Sequence, residues 1–116
     1  MRSLLGKTFD RRIAWLRKHF PLKGKKQVLV RTAPAGSLRI DKETVQGFTH
    51  KMHNGNFLIV VERSQMFVAT DTLLHEWAHA HAMQREGILD DPINFHSPLW
   101  GRIYARIYRR FTKEKP

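Results

Sequence analysis

The chain has 116 residues, 41% of them hydrophobic, with 21 Lys/Arg against 10 Asp/Glu and a formal net charge of +11. That length suits one compact domain, here read as residues 1–116, and the apolar content exceeds what a disordered chain of this charge carries. There are seven histidines and no cysteine, which excludes disulfides, a thiolate metal site and a cysteine nucleophile.

No signal-like apolar core follows Met1, and no apolar run reaches membrane-spanning length, so a soluble cytoplasmic protein with no membrane partner is expected. Phe9, Ile13, Leu16 and Phe20 recur at helical spacing, with Asp10, Arg11, Arg12, Arg17 and Lys18 on the other face. They predict an amphipathic first helix that stops near Phe20-Pro21. His19 sits at its end, where a cation suits the helix dipole. Lys23 to Lys26 form a basic loop. Gln27 to Thr32 reads as a strand broken by Pro34-Ala35-Gly36, and Leu38 to Ile40 as a second short one.

Gly47 to His53 and Asn56 to Glu62 flank Asn54-Gly55. That dipeptide tolerates the positive φ of a two-residue hairpin turn. Phe57 to Val61 is the most apolar run and is expected to be a central strand. His50 and His53 read as exposed polar positions beside the turn, with a cleft-lining role as the alternative. A second helix is expected to start between Met66 and Asp71 and to run to about Arg85, with Gly87 ending it. Ile88 to Phe95 reads as a loop. Ser97 then offers an N-cap and Pro98 a first-turn residue. Trp100, Ile103, Tyr104, Ile107, Tyr108 and Phe111 follow at steps of three and four, giving a third helix. A helix, several strands and two helices in that order point to an α+β domain.

The chemistry lies in Thr72 to His81, TLLHEWAHAH, where His75-Glu76-Trp77-Ala78-His79 is H-E-x-x-H. Residues four apart on a helix differ by about 40° in direction and about 6 Å in height. Both imidazoles therefore leave one face and can reach one metal ion. Glu76, one step round, can approach a metal-bound water as general base without being a ligand. Zinc hydrolysis uses this pattern, with a third ligand from elsewhere and a position open for water. Leu73, Leu74, Trp77, Ala78 and Ala80 make the flanks apolar, so this helix is expected to be buried, and a buried charged motif needs a partner. The bland alternative is a helix with two surface histidines. For the third ligand, Glu86 lies about 10 Å further along the axis than His79, too far to share the ion, and His81 points about 200° away from His79. His96, just before the capped start of the third helix, is preferred, and Asp91 and Asp90 are the alternatives.

These residues resemble the SprT-like group of zincin metallopeptidases. The match rests on Thr72 to His81 and on His96-Ser97-Pro98-Leu99-Trp100, within roughly residues 45–111. The resemblance implies a minimal zincin-like α+β domain. It would have an N-terminal helix, a small mixed or antiparallel sheet with a hairpin, an active-site helix and a C-terminal helix. It also implies one zinc ion on His75, His79 and His96, a catalytic Glu76, and a peptide substrate lying antiparallel to an edge strand. Tyr104 and Tyr108 fall in the apolar stripe, where packing explains them; zincins also use such a tyrosine to stabilise an oxyanion. Two departures stand out: the cysteine zinc module common in the group is missing, and His81 stands where zincins prefer an apolar residue. A nucleic-acid-binding module with a structural metal, or an inactive zincin acting as an adaptor, would fit much of the pattern. A structural site, however, has no use for a carboxylate at position 76.

Residues 1–31 hold ten Lys/Arg against Asp10 alone, and residues 97–116 hold six against Glu114 alone. Arg102, Arg106, Arg109 and Arg110 fill the polar side of the third helix. They read either as a solvated face or as a stripe for phosphates, with non-specific DNA as the partner. SprT-like proteins are linked to cleavage of proteins bound or crosslinked to DNA.

Overall fold

Residues 5–40, 42–87 and 96–116 are described in the computed structural model. The first apolar stripe forms α1 (Lys7–His19), which buries Phe9, Ile13 and Leu16, together with Trp15. The Phe20 N–H closes its end on the Leu16 carbonyl at 2.8 Å, just before Pro21. A single 3-10 turn (Lys23–Lys25) leads into β1 (Val28–Ala33). Two short strands, β2 (Arg39–Ile40) and β3 (Glu43–Thr44), pair antiparallel as a small separate sheet.

β4 (Gly47–Lys51) and β5 (Phe57–Glu62) form the expected antiparallel hairpin. β5 lies in the middle of a three-stranded sheet of order β1-β5-β4, parallel to β1. The architecture is thus α+β with a mixed sheet. Phe57, Ile59 and Val61 alternate into the core, as period-2 packing on one face demands. The turn differs from the two-residue form. Met52 N–H bonds to Asn56 O, and Gly55 N–H to Met52 O, so three residues, His53 to Gly55, make the loop. Only Gly55 takes positive φ (86°), while the Asn54 side chain accepts from Asn56 N–H at 2.9 Å. One glycine followed by an Asx bond satisfies a three-residue loop, whereas a two-residue turn of this kind needs positive φ twice.

α2 (Met66–Glu86) covers the sheet with a largely buried length that includes Leu73, Leu74, Trp77, Ala78 and Ala80. Gly87, at φ 74°, ends it as expected. The carbonyl of Phe20 accepts from both Trp77 Nε1 (2.9 Å) and His81 Nε2 (2.8 Å), which ties the end of α1 to the middle of α2. This is why a histidine suits position 81. α3 (Pro98–Glu114) packs against α2 and buries Ile103 and Ile107. Its far end meets α1: Trp15 Nε1 donates to Glu114 at 3.0 Å, and the Trp15 and Phe111 rings meet edge-on at 5.7 Å. No described helix is long and apolar enough to cross a membrane.

β4 approaches α2 so closely that a Cβ on Gly47 would sit 2.7 Å from Thr72 Cγ2 and 2.8 Å from the Val60 carbonyl oxygen. A backbone oxygen cannot swing aside. Gly47→Ala is therefore expected to destabilise the fold by about 1–3 kcal/mol, read as a lower midpoint in thermal or urea unfolding.

Candidate metal centre

His75 and His79 lie one turn apart on α2, and their Nε2 atoms are 3.3 Å apart. His96 precedes α3 and brings its Nε2 to 3.2 Å from that of His75. The ligand atoms of all three lie within 4.8 Å of one another, close enough to hold one metal ion. His75 is half-buried, His79 buried and His96 exposed. Burial, and then the neighbouring His75 and His96, hold the His79 imidazole far below its ordinary range, at about 3. Burial and His96 lower His75 as well, against a smaller opposing effect of Asp71. Both rings therefore stay neutral near pH 7, the form in which imidazole binds metals.

The placement of His96 depends on its neighbours. Ser97 Oγ accepts from Trp100 N–H at 3.1 Å, the N-cap expected at this position, and donates to Glu86 Oε1 at 2.8 Å. The start of α3 is thus fastened to the end of α2. Glu86 lies too far along the helix to be a ligand, and that same distance lets it reach Ser97. The Trp100 ring stacks on His96 with centroids 4.1 Å apart and lies 5.1 Å from His79. Its Nε1 donates to the His75 carbonyl at 3.2 Å. One indole therefore contacts all three histidines.

Glu76 is 5% exposed and points from α2 towards β4. Thr49 Oγ1 lies 2.7 Å from its Oε1, and its Oε2 lies 4.0 Å from His75 Nε2. A cleft of about 290 Å³ opens over the group, lined in part by Ile40, Gly47, Phe48 and Thr72.

The remaining candidates divide. The Tyr104 ring is 5.6 Å from His75, and its hydroxyl donates to Asp71 at 2.5 Å. Burial and that bond push the phenol well above its ordinary value. Tyr108 is 51% exposed and stands one turn further on, against Tyr104 rather than the histidines. Both tyrosines also line a wider apolar groove of about 970 Å³, together with Phe67 and Phe111. His50 and His53 are exposed and do not line the histidine cleft. Asp90 and Asp91 lie outside the described residues. Arg102, Arg106, Arg109 and Arg110 are all exposed on α3, but Arg110 is engaged, donating to Glu114 at 2.6 Å and to His19 Nδ1 at 2.8 Å. The sequence reading missed Thr49, Gly47 and the Ser97–Glu86 clamp. Each depends on two segments meeting, and no local motif announces that.

Comparison of the chain with protein-family models, curated proteins and solved structures found no match.

Metal binding by a preformed site is linked to folding. His79→Ala is expected to abolish stoichiometric metal binding and to remove the rise in melting temperature that metal gives the wild type. Elemental analysis and thermal unfolding with and without chelator measure both effects. Equal melting curves for metal-loaded and chelated wild type would contradict a metal centre.

Proposed function

We propose that this chain is a zinc-dependent endopeptidase of the SprT-like kind. One observation carries the reading: three imidazole nitrogens meet beside a buried carboxylate that is not part of their group. Zn–N bonds of about 2.0–2.1 Å in a tetrahedron set neighbouring ligand nitrogens about 3.3–3.4 Å apart. The two separations that His75 makes, 3.3 Å to His79 and 3.2 Å to His96, match that edge. Three protein ligands is also the number a catalytic zinc uses, leaving a position for water.

Bound zinc would supply Lewis acidity towards water and a substrate carbonyl. Glu76, through Oε2, accepts the proton of the attacking water and passes it to the leaving amine. Tyr104 stands beside His75, and its hydroxyl would turn from Asp71 to donate to a developing oxyanion. β4 is an edge strand of its sheet and borders the cleft through Gly47 and Phe48. An extended peptide can add to it by main-chain hydrogen bonds.

Glu76→Gln keeps the side-chain size but cannot take a proton. The variant is expected to retain about one zinc per chain and to lose casein hydrolysis by about 100-fold or more. Zinc loss in this variant would make Glu76 a ligand, and full activity would assign the base elsewhere.

DNA-associated proteins are the proposed substrates. Arg102, Arg106, Arg109 and Lys113 follow one another along exposed α3 at steps of four, three and four, and make no ion pair among the described residues. Such a stripe contacts phosphates without reading sequence. Duplex binding is expected at about 50 mM salt, and the triple Ala variant at 102, 106 and 109 is expected to lower the log–log salt slope by about 2–3. Absence of binding at that salt would leave a peptidase with no nucleic-acid partner.

A further inference from the structure

No motif marks Thr49, yet it is 3% exposed on an edge strand. A buried hydroxyl needs a partner. Thr49 Oγ1 has two acceptors on one residue: Glu76 Oε1 at 2.7 Å and the Glu76 backbone oxygen at 3.0 Å. A hydroxyl has one proton to give. The backbone oxygen belongs to the helix ladder of α2, whereas the carboxylate oxygen is nearer and charged. Charge-assisted bonds are the stronger kind, so the proton goes to Oε1.

We propose that Thr49 is a positioning residue for Glu76: its hydroxyl holds one carboxylate oxygen against β4 so that the other faces the three histidines. The inference rests on the reading of Glu76 as the base. A glutamate side chain has several rotatable bonds, and a base displaced by about 1 Å can lose about 100-fold in rate. Fixing Oε1 from the strand fixes Oε2, which lies 4.0 Å from His75 Nε2.

The strand is shaped for this contact. Residues 47 and 49 point to the same face of β4. Gly47 supplies the clearance there, since a Cβ at that position would already stand 3.5 Å from Glu76 Cγ. Thr49 supplies the donor two residues on. Phe48, between them, lines the cleft. The strand that borders the cleft therefore also orients the base.

Thr49→Val keeps the shape and removes the donor; Thr49→Ser keeps the donor and removes the methyl. With zinc content equal to wild type, Thr49→Val is expected to lower kcat by about 10- to 100-fold at nearly unchanged KM, and Thr49→Ser to restore most of it. In crystals, the Glu76 carboxylate is expected to leave its wild-type position in Thr49→Val and to keep it in Thr49→Ser. A kcat for Thr49→Val within twofold of wild type, or an equal loss in Thr49→Ser, would overturn the proposal. Should Thr49→Val not fold, Thr49→Ala against Thr49→Ser reads the same difference. If the wild type cleaves no peptide, the endopeptidase reading fails by itself. The carboxylate positions then decide the Thr49 proposal, and an unmoved Glu76 without the hydroxyl would sink it.

Discussion

Three imidazole nitrogens aimed at one point are the constraint on which the rest of the molecule depends. Each Nε2 brings either a lone pair or a proton to that point. Where all three present lone pairs, as metal ligands must, the two contacts of 3.3 and 3.2 Å that His75 makes set those lone pairs against one another. Burial keeps His79 neutral, and a neutral imidazole can turn a lone pair to that point. A cation is the partner that turns three facing lone pairs from a cost into a gain.

The surrounding structure keeps those rings in place against that cost. α2 is buried along most of its length, and the Phe20 carbonyl anchors it through Trp77 and His81. The third histidine belongs to another segment, so the junction between α2 and α3 has to be fastened separately. Glu86 and Trp100 do this through Ser97 and through the indole stack. An N-cap contributes about 1 kcal/mol, and an aromatic pair about 0.5–1.5 kcal/mol beyond its burial. These contacts set the direction of the rings, and a bound ion would add stability through its linkage to folding.

Charge is distributed with the same division of labour. Arg110, Glu114, His19 and Trp15 form one cluster that closes the end of α3 against α1. The Arg110 guanidinium, and then the Trp15 N–H, hold the Glu114 carboxyl below its ordinary value. One arginine of the four on α3 thus serves the fold, and the other three stand on the exposed face. Spacing on a helical wheel does not separate these roles, because the carboxylate partner of Arg110 is also shared with α1.

Short-range patterns in the sequence determined the helices, the hairpin with its central apolar strand, and the pair His75 and His79. The reason is that period, capping residues and turn chemistry act within a few positions. The Ser97 N-cap and the Gly87 end of α2 were legible for the same reason. His96 was legible as a candidate because chain order left it beside a helix start, but its distance to His75 depends on how α3 docks. The two-residue turn expected at Asn54-Gly55 became a three-residue loop, since one positive φ at Gly55 suffices there. Tertiary structure alone decided that Thr49 would meet Glu76, that Glu86 would hold Ser97, and that Tyr104 rather than Tyr108 would stand beside His75. Those contacts join residues 11 to 29 positions apart. They exist only once hydrophobic burial has pressed strand and helices together, and no local pattern in the chain records which side chains will then touch.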